Sequence, residues 1–149
     1  MVKAKMTDAV TETLVGSTVS LRIFVVENHA DTREFLVFML EELGHHVMVA
    51  DTMAKALREV PASNSDVLIS DIGLPDGDVW ELLGRLNLPR PIYAIAMSGF
   101  GMASDRARSK AVGFRHHLVK PMGLEELETI LVQAANELYS NGTRVRRSV

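Results

Sequence analysis

The sequence contains no cysteine, which excludes disulfide bonds, catalytic thiolates and the commonest ligands of structural zinc. It also lacks an excess of either charge, because 16 basic and 19 acidic side chains give a formal net charge of −3. Such a small charge provides no general attraction for nucleic acid or for an anionic membrane. We therefore expect neither direct nucleic-acid binding nor membrane insertion.

Long hydrophobic runs are also absent. The longest unbroken one, residues 35–40, is far shorter than the roughly 20 residues that a membrane-spanning helix needs. Residues 1–20 carry Thr, Asp and Glu where a signal peptide needs an apolar stretch, so we expect a cytoplasmic protein. With 149 residues, 47% of them hydrophobic, the chain has the size of one domain with a single core.

From residue 21 onward, short β-branched runs alternate with longer segments of helical period. This alternation predicts an α/β fold with a single five-stranded parallel sheet and helices on both faces. The predicted strands are 21–26, 46–50, 66–70, 91–97 and 115–119. The predicted helices are 31–44, a short helix after residue 51, 78–87, 103–112 and 124–139.

Individual residues refine these helices and the core. Asp51 is placed to cap the second helix and Pro61 to end it. The helical period points Phe35 and Leu124 inward, and Met48 is expected to fill the core.

The two ends of the chain differ from its centre. Residues 1–20 show no sustained period and are predicted to be a mobile N-terminal extension. Residues 140–149 contain three arginines and are predicted to be a basic tail or the stub of a linker. Residues 21–139 then form the predicted domain.

Candidate site residues with polar side chains follow the first, third, fourth and fifth predicted strands. Glu27 and Asn28 follow the first strand, Asp71 the third, Ser98 the fourth and Lys120 the fifth. In an open parallel sheet, ligands bind outside the carboxyl ends of the strands. We therefore expect these side chains to meet at one edge of the sheet and to form a site.

The stretches VVEN, SDIGLPDG, AMSG and HLVKP resemble, in order and spacing, the signature stretches of the response-regulator receiver domain of two-component signalling. The resemblance covers about residues 21–139 and implies a flavodoxin-like (βα)5 fold. It implies a regulatory phosphoacceptor rather than an enzyme. Asp71 would receive a phosphoryl group from a sensor histidine kinase or a histidine phosphotransfer protein, and Ser98 and Lys120 would contact that group.

The resemblance also implies a Mg²⁺ site. Its ligands would be Asp71, the acidic positions occupied here by Glu27 and Asn28, and the backbone carbonyl of Gly73. Asn28 stands where the family usually has a second acidic residue, so it keeps an oxygen ligand but removes one negative charge. A unit charge pair at about 4 Å is worth about 1–4 kcal/mol, so we expect Mg²⁺ to bind more weakly by about one to three orders of magnitude.

The switch position of the family, three residues before Lys120, is occupied by His117. The family usually has Tyr or Phe there, which turns inward when the hydroxyl residue, here Ser98, moves. Because an unperturbed histidine has a pKa of about 6.5, His117 would make such a switch sensitive to pH. The resemblance further implies a cis peptide bond between Lys120 and Pro121.

Three functions remain open at this point. The first is the phosphoacceptor switch, in which the face of the fourth helix, fifth strand and fifth helix contacts an unidentified downstream protein. Such a switch could also form a homodimer. The second is a degenerate receiver that binds proteins without phosphorylation because Asn28 weakens the metal site. The third, a small flavodoxin-like enzyme or nucleotide binder, is disfavoured because no glycine-rich phosphate loop follows the first strand.

Overall fold

Strands and helices alternate through the part of the chain that the computed structural model describes, residues 19–99, 101–140 and 143–144. The strands are β1 (Arg22–Val26), β2 (His46–Ala50), β3 (Val67–Asp71), β4 (Gly73–Leu74), β5 (Gly77–Asp78), β6 (Tyr93–Ser98), β7 (His116–Val119), β8 (Tyr139–Ser140) and β9 (Thr143–Arg144). The helices are α1 (Ala30–Glu42), α2 (Met53–Ser63), α3 (Val79–Arg85), α4 (Ala103–Val112) and α5 (Leu124–Leu138).

Five of the strands form one parallel sheet in the order β2-β1-β3-β6-β7. The predicted α/β fold class, a five-stranded parallel sheet with five helices, is confirmed. The chain leaves β1 toward one edge of the sheet and β3 toward the other, so the topological switch point lies between β1 and β3. Ligands of open α/β sheets bind at such points, and Asp71 is the last residue of β3.

The core lies around the central strands. Every residue of β3 and of β6 is buried, as expected for inner strands of a parallel sheet. One cluster of buried side chains joins β1, β3 and β6 to α2 and α3, and it includes Phe24, Leu68, Ala96, Val60 and Leu82. The parallel pairing of β1 with β3, in which Val26 lies opposite Ser70, places the ends of these two strands side by side.

The described residues form two compact units. The larger runs from Leu21 to Met122 and contains the parallel sheet and the first four helices. The smaller contains residues 19–20 and the described residues from Gly123 onward, with α5 and the β8–β9 hairpin. The predicted boundaries at residues 20 and 139 stay predictions, since most of both predicted ends lies outside the described residues.

The start of α2 differs from the prediction. Thr52, and not Asp51, is its N-cap, because the Thr52 side chain accepts a hydrogen bond of 3.1 Å from the backbone N–H of Lys55. Asp76, in the loop after β3, also accepts from the backbone N–H groups of Met53 and Ala54, at 2.7 and 2.9 Å. A carboxylate distant in sequence thus satisfies the donors that Asp51 was expected to satisfy.

Pro61 does not end α2, contrary to the prediction. The helix continues to Ser63 and ends where Asn64 adopts a left-handed conformation with φ of 55°. Pro61 lies in the last turn, where the missing N–H removes one helical hydrogen bond and few residues follow.

Three predicted core residues are exposed. Phe35 is 57% exposed, because the buried stripe of α1 is formed by Leu36, Met39 and Leu40. Met48 is 42% exposed on β2, which is an edge strand, and Leu124 is 45% exposed at the first position of α5.

Candidate functional site

Three of the predicted side chains meet at the carboxyl edge of the parallel sheet. The Nζ atom of Lys120 donates to Oε1 of Glu27 at 2.7 Å and lies 3.3 Å from Oδ1 of Asp71. Glu27 directly follows β1 and Asp71 ends β3, so neighbouring strands place the two carboxylates together. Lys120 follows β7, and its long side chain reaches across the end of β6. We call Glu27, Asp71 and Lys120 the acidic cluster.

Glu27 is fully buried, and both of its carboxylate oxygens are engaged. Oε1 accepts from Lys120, while Oε2 accepts from the backbone N–H of His29 at 3.0 Å and lies 3.2 Å from Nδ1 of the His29 ring. Burial alone raises the pKa of Glu27, but the hydrogen bonds from Lys120 and His29 and the Lys120 charge together lower it below its ordinary value. Glu27 therefore stays ionised inside the site.

Asp71 has the opposite electrostatic balance. Burial raises its pKa, the charge of Lys120 lowers it and the charge of Glu27 raises it, with a pKa above the ordinary value as the net result. The two carboxylates share one ammonium group, and Glu27 holds it more closely. The Asp71 side chain keeps 11% of its surface exposed, so a small group from solvent reaches it.

Ser98 takes part in a different set of contacts. Its buried Oγ lies 2.8 Å from Nε2 of His117, whose Nδ1 lies 3.1 Å from Oγ of Ser109. The backbone N–H of Lys120 also donates to the carbonyl of Ser98 at 2.8 Å, which joins this region to the acidic cluster. Burial, with the nearby charge of Arg106, lowers the pKa of His117 below its ordinary value, and Asp105 partly opposes this shift.

Asn28 and Gly73 are both exposed beside this edge. The backbone carbonyl of Asn28 accepts from Arg33 at 3.3 Å, and Gly73 pairs with Asp78 in the β4–β5 ladder. The part of the chain that the structure describes holds no group of three or more His, Cys, Asp or Glu side chains arranged for a metal ion.

Mg²⁺ is held by oxygen ligands, often only one or two of them carboxylates. The donors expected from the sequence are two carboxylates, one amide and one backbone carbonyl, all oxygen, so their chemistry fits Mg²⁺. The raised pKa of Asp71, caused first by burial and further by the charge of Glu27, points the same way, because a cation would stabilise this buried carboxylate. Both oxygens of Glu27 are already engaged, so Glu27 fits better as a nearby charge than as a direct ligand.

Other expectations near the site have mixed outcomes. The Lys120–Pro121 peptide bond is cis, as the resemblance implies. The sequence pattern does not single out His29 or Ser109, although both contact predicted site residues. The place of His29, two residues after Glu27 and at the N-cap of α1, could have indicated a contact with the site. The place of Ser109 in the sequence gives no such indication. Across the described ranges, no helix combines the length and the hydropathy needed to span a membrane.

Fold and site together define a doubly wound α/β protein whose polar cluster lies at the carboxyl ends of its strands. The family model of the response regulator receiver domain matches residues 23–132. Over 114 residues, the chain is 36% identical to an uncharacterized 14.6 kDa protein in the sodA1 3′ region of Leptolyngbya boryana, which covers 74% of this chain and 87% of that protein. The chain belongs to the response regulator receiver domain family, a family of regulatory domains of two-component systems.

Other relatives extend this comparison. The KDP operon transcriptional regulatory protein KdpE of Escherichia coli strain K12 is 33% identical over 109 residues, covering 73% of this chain and 48% of KdpE, so this chain spans about half of that relative. Among solved structures, the receiver domain of sensor histidine kinase PA1611 from Pseudomonas aeruginosa PAO1 has a magnesium ion coordinated in its active site cleft. It superposes with a TM-score of 0.71 at 23% identity, covering 79% of this chain and 99% of that chain, which shows a shared fold.

Proposed function

We propose that this protein is a phosphoacceptor switch in a two-component system or phosphorelay and that Asp71 accepts the phosphoryl group. The observation that supports this proposal is the position of Lys120, whose Nζ lies 3.3 Å from Asp71 and 2.7 Å from Glu27. A carboxylate attacks a phosphoryl group when the negative charges of both partners are countered. The ammonium group of Lys120 supplies part of that positive charge where Asp71 would react.

The donor in this proposal is a phosphohistidine on a sensor histidine kinase or a phosphotransfer protein, in the cytoplasm. An oxygen of Asp71 forms a bond to phosphorus while the bond between phosphorus and the donor nitrogen breaks, and the donor imidazole leaves. The protein then acts as a regulator that assists its own phosphorylation rather than as an enzyme with a separate substrate. A downstream protein reads the phosphorylated state.

The proposed Mg²⁺ ligands are Asp71, Asn28 and the carbonyl of Gly73, with Glu27 contributing negative charge beside them. When bound, Mg²⁺ supplies positive charge that stabilises the transferring phosphoryl group. Asn28 lowers the charge of the ligand set relative to the usual acidic pair, so the metal is expected to bind weakly.

Ser98 and Lys120 are the proposed contacts to the bound phosphoryl group, and His117 is the proposed switch residue. Lys120 already lies beside Asp71, so it can hold the group without a large movement. The Ser98 hydroxyl bonds to His117 at 2.8 Å, so a movement of Ser98 toward Asp71 would alter that bond. The family's switch chemistry is thereby carried by an imidazole instead of a phenyl ring.

The experiment is incubation with acetyl phosphate, with and without Mg²⁺, followed by intact-protein mass measurement. We expect one phosphoryl adduct that depends on Mg²⁺ and is absent from Asp71→Asn. Asp51→Asn is the matched control, because Asp51 is an exposed carboxylate directly after β2 and should leave the adduct intact. An adduct that persists in Asp71→Asn would assign the phosphate to another residue and refute the proposal.

A second candidate function is a degenerate receiver that binds its partner without phosphorylation. Two observations favour it: Asn28 replaces an acidic residue, and both oxygens of Glu27 are engaged by Lys120 and His29. This function predicts no adduct even with a phosphohistidine donor at high Mg²⁺ concentration. It also predicts that Asp71→Asn binds the partner as tightly as the parent chain does.

A further inference from the structure

A line of hydrogen bonds leads from Ser98 away from the acidic cluster to the only tryptophan of the chain. The indole Nε1 of Trp80 donates to Oγ of Ser109 at 2.9 Å, and that oxygen lies 3.1 Å from Nδ1 of His117. The Nε2 atom of His117 lies 2.8 Å from Oγ of Ser98. We call these four residues the hydroxyl–imidazole chain, and it crosses α3, α4, β7 and β6.

Ser109 is the buried residue of α4, a helix that is otherwise mostly exposed and rich in charged side chains. A buried hydroxyl is stable when it is hydrogen-bonded, and Ser109 has partners on both sides in Trp80 and His117. An alanine would fill nearly the same space without the desolvation of a hydroxyl. The hydroxyl therefore serves the contacts to the indole and to the imidazole.

The chemistry of the four groups favours one direction for these hydrogen bonds. The indole nitrogen only donates, so Ser109 accepts from Trp80 and its own proton is available for Nδ1 of His117. A neutral imidazole whose Nδ1 accepts carries its proton on Nε2 and donates to Ser98. The Oγ atom of Ser98 then accepts from the Nε2–H group of His117, which orients that hydroxyl, and bonds that all run in one direction strengthen one another.

We propose that Ser109 and Trp80 are positioning residues for the Ser98 hydroxyl and act by holding the His117 ring as the Nε2–H tautomer. This inference deepens the proposed function and rests on it, because Ser98 is assigned there as a contact to the phosphoryl group. In the reverse direction, a displacement of Ser98 changes the hydrogen bond of the Trp80 indole. Arg108 also stacks 4.2 Å from the centre of the Trp80 ring, so the change reaches charged surface on α4.

The first arm of the test measures the His117 tautomer by ¹⁵N chemical shifts of histidine side chains, with no phosphate present. We expect the Nε2–H form in the parent chain and in Ser109→Thr, which keeps the hydroxyl. In Ser109→Ala the Nδ1 atom loses its donor, so the Nε2–H fraction should fall. Circular dichroism confirms that each variant is folded. A parent chain with the proton on Nδ1, or an unchanged tautomer in Ser109→Ala, overturns the proposal.

The second arm uses acetyl phosphate with Mg²⁺ and records the emission of Trp80 beside the intact mass. We expect emission to change with phosphorylation in the parent chain and in Ser109→Thr. Ser109→Ala should still take phosphate on Asp71, about fivefold more slowly for the loss of one hydrogen bond, but without the emission change. If Ser109→Ala shows the same emission change and the same rate of phosphorylation as the parent chain, the proposal is overturned.

The two arms separate this inference from the proposed function. If the parent chain takes no phosphate from any donor, the proposed function fails, whereas the tautomer measurement still decides whether Ser109 positions His117 and Ser98. If phosphate is taken normally and the tautomer does not respond to Ser109→Ala, only the positioning role fails.

Discussion

The acidic cluster and the hydroxyl–imidazole chain lie beside each other but work by different physics. The acidic cluster joins Glu27, Asp71 and Lys120 through charge, which acts over several ångströms and tolerates small displacements. The chain from Ser98 to Trp80 joins formally neutral groups through hydrogen bonds, which weaken steeply when the geometry changes. The first is suited to attract and neutralise an anion, and the second to register a small movement.

The largest expected effect comes from breaking the acidic cluster with Lys120→Ala. This change leaves the fully buried Glu27 carboxylate and Asp71 without their shared cation. We expect a loss of about 3 kcal/mol in the free energy of unfolding. Phosphorylation of Asp71 should slow by on the order of 100-fold. Urea denaturation and the rate of adduct formation measure the two effects.

Lys110→Ala is the matched control for this change, because Lys110 is an exposed lysine on α4. It should change stability by less than about 0.5 kcal/mol. Adding Glu27→Gln to Lys120→Ala should restore part of the lost stability, since one buried charge is removed. A stable Lys120→Ala variant would mean that the ion pairs contribute little to the folded state.

The same comparison shows how much of the molecule the sequence predicts. The five-stranded parallel sheet and the meeting of Glu27, Asp71 and Lys120 at one edge follow from local pattern, because parallel strands bring their carboxyl ends to one edge. The contacts of Ser109 and Trp80 do not follow, because they depend on the distance between α3 and α4 in three dimensions. The prediction that Asp51 caps α2 failed for the same reason, since Asp76 from a distant loop accepts hydrogen bonds at the start of that helix.

Asn28→Asp adds a carboxylate beside the acidic cluster and should give the next largest effect. The added carboxylate restores the charge that the family usually has at the metal site. We expect Mg²⁺ affinity to rise by about one to three orders of magnitude, measured by calorimetric titration. Asn87→Asp adds the same charge at an exposed position after α3 and should leave the affinity almost unchanged. Equal affinities in the parent chain and Asn28→Asp would exclude residue 28 from the metal site.

Asp71→Asn tests the charge balance inside the cluster through stability. Because the folded state raises the pKa of Asp71, its ionised form is disfavoured on folding, and this penalty is present at neutral pH. The penalty disappears as the pH falls through the folded-state pKa toward the unfolded value. We therefore expect Asp71→Asn to be more stable than the parent chain by about 1 kcal/mol at pH 7 and to lose this advantage in acid.

Urea denaturation from about pH 7 down to about pH 4 measures this dependence, within the range where native carboxyl groups titrate. Glu27 gives the internal contrast. Its pKa is lowered by folding, so its contribution to stability is present at neutral pH and is lost as the pH falls through its folded-state pKa. A less stable Asp71→Asn at neutral pH would show that the pairing with Lys120 outweighs both burial and repulsion from Glu27.

The smallest expected effect comes from breaking the hydroxyl–imidazole chain with His117→Phe, which installs an aromatic residue typical of the family. Folding lowers the pKa of His117, mainly through burial, so the folded state binds the proton less well than the unfolded chain. The parent chain should lose up to about 1 kcal/mol as the pH falls from about 6.5 through the folded-state pKa, because the unfolded histidine gains its proton first.

His117→Phe should lack that part of the pH dependence. Burial also lowers the pKa of His45, so the difference between the two chains, and not the slope of either, isolates His117. Identical slopes in the parent chain and His117→Phe would mean that the imidazole between Ser98 and Ser109 does not titrate on unfolding. The hydroxyl–imidazole chain would then respond to phosphorylation but not to pH.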